Sequence, residues 1–314
     1  MNPEISTLDN SARNVAVYAI GGNALSDVGA PGNEAIVLDK VMGDVVNLLE
    51  AGFRVVITHG NGPQVGDLLL LEETSLSEPK RRELDEWVAA TQGMIGHSLA
   101  LNLEKHLMKK NRPERTAVLL TRVEVDREDS AFSSPSKPVG PILEEDTIAK
   151  MNWDVATTVN GPRRVVASPQ PIKILDIDVI NSLLGLNAVV ICCGGGGIPV
   201  QLDDAIRGIP AVIDKDRVSA LLAIEVNADV FVVSTAVDAV RKDFAGPNEQ
   251  IIRELSINEA KNMVESGELP PGSMGPKVEA MVMAKESNSE MNVVLCQPGD
   301  ALAAVRGDVG TRLI

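Results

Sequence analysis

Three lysines of this 314-residue chain are each held by unusual neighbours. Lys215 lies between two carboxylates in Ile213-Asp214-Lys215-Asp216-Arg217, directly after the apolar Ala211-Val212-Ile213. Lys277 closes Gly272-Ser273-Met274-Gly275-Pro276-Lys277, and Lys137 sits among prolines in Ser136-Lys137-Pro138-Val139-Gly140-Pro141. An ammonium group is a compact point charge, so three of them pinned by Gly, Pro or paired Asp suit the clamping of phosphate oxygens. Glycine clusters supply the other half of such a site: Gly21-Gly22-Asn23-Ala24, His59-Gly60-Asn61-Gly62-Pro63-Gln64 and Gly194 to Gly197. Each follows a Val/Ile-rich run and precedes what reads as a helix. Glycine lets backbone approach an anion, and free N–H groups at a helix start attract negative charge. One such turn often serves packing alone. Three of them, all at the carboxyl ends of predicted parallel strands, mark an anion site on one sheet edge. Neither a P-loop nor a dinucleotide glycine fingerprint occurs. His59 reads chiefly as a packing or loop residue, and His97 and His106 have no motif role.

The frame that must bring these turns together is legible as alternation. Nearly continuous apolar runs at Val15–Ile20, Arg54–Thr58, Ala117–Val125, Ala188–Cys193, Val230–Thr235 and Met291–Cys296 suit strands buried on both faces. Between them, Glu34–Ala51 repeats Ile36, Val37, Val41, Val45, Leu48 and Leu49 at helical spacing, with Gly52 as the stop. Glu83–Lys110 reads as one long helix or two; Asp216–Val226, Ile257–Glu265 and Lys277–Lys285 are further helices. Strands alternating with helices predict a mainly parallel sheet covered on both sides. The proline-rich stretch from about 126 to 171 breaks the rhythm and reads as an inserted subdomain. Two lobes follow, 1–185 and 186–314.

Composition limits the partners. Aromatic residues make up 2% of the chain and the formal charge is −15. That argues against base-stacking nucleic-acid binders and gives a field that repels nucleic acid and anionic membranes. An anionic substrate would need a local basic pocket set against this field. The three cysteines have no zinc-ligand spacing, residues 1–13 have no apolar signal-peptide core, and no apolar run reaches membrane-spanning length. The expectation is a soluble cytoplasmic protein with buried, reduced thiols and with neither nucleic-acid nor membrane partners.

With these residues assembled, the chain resembles the carbamate kinases of the amino-acid-kinase family. The matching stretches are Gly21–Leu25, Thr58–Gly66, Thr91-Gln92-Gly93, Lys137–Pro141, Arg163–Val166, Gly194–Val200, Ala211–Asp216 and Gly272–Lys277. They run in family order over essentially the whole chain. The resemblance implies a three-layer αβα sandwich around a mainly parallel sheet, with an acid-binding lobe over 1–185 that includes the protruding subdomain. It further implies a nucleotide lobe over 186–314 and a homodimer. Carried over residue by residue, it implies that Gly21, Gly22 and Asn23 line the path of the phosphoryl group. Asn61 and Gly62 would hold the carbamoyl end, with Gly195 and Gly196 closing the site. Lys215 and Lys277 would bear on the ATP phosphates, Lys137 would reach in from the subdomain, and Asp216 would orient the lysines. Thr235, Asp238, Phe244 and Met274 would border the nucleoside, Phe244 standing where relatives carry tyrosine. Beside the acid site, Val159-Asn160-Gly161-Pro162-Arg163-Arg164 replaces a Gly-Arg-Gly-Trp-Arg-Arg run, and Gln170 replaces a lysine.

The implied reaction is phosphoryl transfer between ATP and carbamate, giving ADP and carbamoyl phosphate. A carboxylate is already ionised at neutral pH, so no general base is required, which suits a site rich in glycine, asparagine and lysine. Mg²⁺ is expected with the nucleotide, and no protein metal ligand is assigned. The product is a mixed anhydride, so the same enzyme could make ATP in arginine or related nitrogen catabolism. Two rival readings are a kinase for another small carboxylic acid and a non-catalytic sensor of nucleotide or carbamoyl phosphate.

Overall fold

The computed structural model describes residues 14–21, 33–75, 82–151, 153–158, 161–270 and 272–314. The chain opens with β1 (Val15–Ile20), α1 (Asn33–Glu50), β2 (Arg54–His59), α2 (Gly62–Ser75), α3 (Leu84–Lys109) and β3 (Arg115–Val118). Next come β4 (Arg122–Val125), β5 (Lys137–Val139), α4 (Glu145–Lys150), β6 (Val155–Thr158), β7 (Gly161–Val166), β8 (Pro171–Ile174), α5 (Ile177–Gly185) and β9 (Ala188–Ile191). The remainder holds β10 (Ile198–Leu202), β11 (Ile206–Gly208), α6 (Lys215–Glu225), β12 (Val230–Ser234), β13 (Val240–Lys242) and β14 (Gln250–Ile252). It ends with β15 (Glu254–Leu255), α7 (Ile257–Glu265), α8 (Met274–Ser287), β16 (Asn292–Cys296), α9 (Ala301–Arg306) and β17 (Thr311–Leu313).

Among the described residues, eight strands form one sheet in the order β15-β17-β16-β12-β1-β2-β9-β3. All pairings are parallel except β16 with β17. Alternate residues of each strand feed opposite cores. Val17 and Ala19 of β1 join Val56, Val190 and Val233 under α5, α6 and α8. Ala16, Tyr18 and Ile20 join Ile57, Ile191 and Val232 under α1, α3 and α9. Burial on both faces is why these strands are apolar throughout, and it produces the expected αβα sandwich. Residues from both sides of position 185 share this sheet, with β9 between β2 and β3 and β12 beside β1. Tyr18, the one tyrosine of the chain, is fully buried and donates to Asp44 Oδ2 at 2.8 Å. Asp44 also accepts from the backbone N–H groups of Gly299 and Ala301, which ties the loop after β16 to α1.

Three sequence expectations need correction. Ala117–Val125 is two strands, not one. The chain leaves the main sheet at Thr121, whose N–H is taken by Gln92 Oε1 at 2.9 Å. Arg122 is then drawn to Asp176, and β4 pairs with β8 and β10 in a second sheet, β11-β10-β4-β8. Apolar pattern alone does not reveal such a change of partner. The Gly194 cluster does not open a helix; it makes one 3₁₀ turn and enters β10. The last long helix starts at Met274 rather than Lys277, because a proline such as Pro276 is tolerated in a first turn, where its missing N–H would have no intrahelical partner. Glu83–Lys110 forms the single helix α3, opened by a capping box between Glu83 and Glu86.

The proline-rich region folds as a small antiparallel sheet, β5-β7-β6, beside α4. Its base is anchored by Val139 and Val166, which pack with Val65, Leu69, Val88 and Val212. No helix among the described residues is long and apolar enough to cross a membrane.

Candidate active site

The carboxyl ends of β2, β9 and β12 lie on one edge of the parallel sheet, where open α/β sheets bind ligands. There the Gly60–Pro63 turn, the Gly195 turn, the start of α6 and the start of α8 border a cleft of about 360 Å³. The subdomain closes one side through Lys137, Pro138 and Arg163.

A chain of charges crosses this cleft. Asp214 is the N-cap of α6 and accepts through Oδ1 from the N–H groups of Asp216 (2.9 Å) and Arg217 (3.3 Å). Its Oδ2 receives Lys137 Nζ at 2.5 Å. Asp216, in the first turn of the helix, accepts Lys215 Nζ at 2.6 Å on one oxygen and Lys277 Nζ at 3.0 Å on the other. Lys215 is 8% exposed and Asp216 4%. Burial opposes ionisation of both aspartates, but the ammonium groups beside them outweigh it and hold both carboxyls below the usual carboxylate range. Burial lowers the Lys215 pKa, and the neighbouring Asp216 counters part of that effect. Three cations against two anions leave a positive site in a chain of formal charge −15. Ser219 donates to the Lys215 carbonyl at 2.6 Å and lies 2.6 Å from Thr58 Oγ1, which links the first turn of α6 to the end of β2.

The glycine turn after β9 is held by close approaches that a side chain would prevent. Gly195 has φ +65°, and a Cβ there would lie 2.2 Å from Asn61 Nδ2. At Gly194 it would meet His59 Nε2 at 2.3 Å. Gln92 on α3 donates to the Gly194 carbonyl at 3.0 Å, and Thr91 accepts from Asn61 Nδ2 at 2.9 Å. One turn of α3 thus fixes both glycine-containing loops. His59 is 1% exposed, with Nδ1 3.0 Å from the Gly60 carbonyl, and burial lowers its pKa to about 4. It is a neutral packing residue.

Of the residues singled out from sequence, Lys137, Lys215, Lys277, Asp216, Asn61, Gly62, Gly195, Thr235, Phe244 and Met274 all border the cleft. Gly196 stands behind the lining, where a Cβ would strike the Ile213 carbonyl at 2.2 Å. Gly21 donates its N–H to Ser234 at 2.9 Å, next to Thr235. Asp238 is drawn away to Arg241, at 2.6 Å, and Arg241 rather than Asp238 borders the cleft. Gly22 and Asn23 lie outside the described residues. Sequence reasoning saw Asp214 only as one of the two carboxylates flanking Lys215, quoted Thr91 and Gln92 without a role, and did not single out Ser219 or Arg241. An aspartate directly before a helix signals an N-cap, so Asp214 was within reach of local rules. Gln92 meets a partner 102 positions away, and no local signal announces that.

A mainly parallel sheet with lysines gathered at its ligand edge defines a phosphate-handling α/β protein. Residues 14–296 match the family model described as the amino acid kinase family, and the chain belongs to that family. Within it, similar relatives include carbamate kinases. That of Halobacterium salinarum is 38% identical over 306 residues, covering 95% of this chain and 97% of the relative. That of Pyrococcus furiosus is 36% identical over 309 residues, covering 95% and 98%. Among solved structures, the carbamate kinase from Giardia lamblia bound to AMP-PNP superimposes with a TM-score of 0.86 at 31% identity, covering 96% of this chain and 99% of that one.

Proposed function

We propose that the chain is a carbamate kinase that transfers a phosphoryl group reversibly between ATP and carbamate. The observation that carries this reading is the convergence of Lys137, Lys215 and Lys277 on one cleft through Asp214 and Asp216. A carbamate oxygen attacks the γ-phosphorus, an O–P bond forms, and the bond to the ADP oxygen breaks. The nucleophile is already anionic and needs no base, which agrees with a neutral His59 turned to a backbone carbonyl. What the protein supplies is position and charge: the loop around Asn61 and Gly195 seats the acid, and the lysines neutralise the migrating phosphoryl group. Mg²⁺ would come with the nucleotide, where it would neutralise phosphate charge beside the lysines that Asp216 holds. The family likeness further supports a homodimer, which light scattering of the purified protein would check. It also supports use in the ATP-forming direction during nitrogen catabolism, where metabolite levels decide the flux.

The test is ATP formation from ADP and carbamoyl phosphate by the purified protein. Lys215→Ala should cut kcat by about 10²–10³, the scale of losing one charge-stabilising donor. Equal rates for the two proteins would remove Lys215 from the site. Turnover of another acid, such as acetylglutamate, without carbamate turnover would replace the substrate.

A further inference from the structure

We infer that Asp214 is a positioning residue that registers the subdomain lysine, Lys137, against the lysine pair at the start of α6. The inference rests on the kinase reading above and extends it to a carboxylate at the border of the cleft.

Two independent tasks fall to this one carboxylate. Through Oδ1 it starts α6, accepting from Asp216 and Arg217, and so fixes where Lys215 and Asp216 stand. Through Oδ2 it binds Lys137, which arrives from a different sheet 77 positions away. The separation between Lys137 and the Lys215–Asp216–Lys277 group is therefore set by a single side chain seated at the helix start. Lys137 has need of such a hold. Its side chain is 26% exposed, whereas those of Lys215 and Lys277 are 9% and 14% exposed, and Asp214 is its ion-pair partner among the described residues. Four rotatable bonds would otherwise spread its ammonium over several ångströms, and transfer depends steeply on alignment. Asp214 is 9% exposed, so it is not a solvated charge that meets Lys137 by chance.

The pairing also explains why the subdomain can carry a lysine for a site built mostly from other elements. Backbone contacts already hold its base, with Gly140 N–H to the Gly62 carbonyl at 3.3 Å and Val212 N–H to the Ala167 carbonyl at 3.0 Å. Neither contact aims a side chain. The Lys137–Asp214 pair does, and it aims it at the helix N-terminus where anions are favoured.

The experiment uses the full chain and two substitutions that keep a helix cap: Asp214→Asn, which retains Oδ1, and Asp214→Ser, a good cap too short to reach Lys137. Rates of ATP formation from ADP and carbamoyl phosphate are measured with each, with Lys137→Met, and with Lys137→Met combined with Asp214→Asn. Both single Asp214 variants should melt close to the parent and lose roughly 10- to 100-fold in kcat, with KM for ADP changed less than about 2-fold. In the Lys137→Met background, Asp214→Asn should change kcat by less than about 2-fold, because the group it positions is gone. Multiplying losses, or a kcat for Asp214→Asn within about 2-fold of the parent, would overturn the assignment. Collapse of the melting transition in both variants would do so too, leaving Asp214 a stability residue only. An inactive parent chain would sink the kinase reading itself, whereas an active parent with insensitive Asp214 variants would sink this inference alone.

Discussion

His59 shows how a conspicuous residue in a functional loop can work by staying uncharged. The ring is 1% exposed, packs where Gly194 has no side chain, and has its pKa lowered from 6.5 to about 4 by burial, with the nearby Lys215 adding to the effect. The unfolded chain can protonate His59 at pH 5, and the folded chain cannot. The stability tied to neutral His59 is thus fully present above pH 6.5 and is lost as pH falls through about 4. Between pH 7 and pH 5 this one group should cost about 2 kcal/mol of folding stability. Urea unfolding at the two pH values measures it, and His59→Gln should flatten the difference by about that amount. An unchanged pH dependence in the variant would mean that the folded site accepts the proton. The same residue scale holds the Lys215 prediction: burial disfavours its ammonium, Asp216 offsets only part of that cost, and Lys277 stays on Asp216 when Lys215 is removed, so the removal should show in kcat more than in folding.

At the scale of elements, the decisive contact is between α2 and the turn after β5. A Cβ on Gly66 would lie 1.8 Å from the Gly140 backbone nitrogen, and backbone cannot swing aside as a side chain can. Gly66→Ala should therefore push the β5-β7-β6 sheet away from α2. We expect a loss of about 1–3 kcal/mol in stability, together with a fall in kcat because Lys137 lies on β5. Gly43 is the control. It lies inside α1, and a methyl group added there would meet nothing within 4 Å, so Gly43→Ala should stabilise by about 0.5–1 kcal/mol. Thermal melts of the two variants decide the matter, and opposite signs are the expected result. A neutral Gly66→Ala would show that the subdomain rides loosely on its base. The elements also hold the start of α6 in place: the Asp214 cap, the Ser219 hydroxyl on the Lys215 carbonyl and Thr58 at the end of β2 tie down its first turn.

At the scale of the whole molecule, the main sheet carries strands from both halves of the sequence, and each core draws residues from both. Among the described residues no core belongs to one half alone, so heating should give a single calorimetric transition, with calorimetric and van't Hoff enthalpies in agreement. Two distinct transitions would show that the halves 1–185 and 186–314 melt separately. Much of this architecture is legible in the amino-acid order, and the reason is that its signals are local. Continuous apolar runs identify strands buried on both faces, helical periodicity identifies the covering layers, and glycine or proline around a charge marks a place where backbone must come close or hold still. Those signals located β1, β2, β9, β12 and β16, the long α3, and the three lysines that meet in the cleft. The break within Ala117–Val125 emerges only on folding, since its cause is Gln92, 29 positions earlier on α3, capturing the Thr121 N–H. Folding likewise leads the Gly194 turn into a strand and couples Lys137 to α6 through Asp214. Each of these depends on a partner remote in the chain, and a pairing between remote groups leaves no trace in the pattern of either neighbourhood.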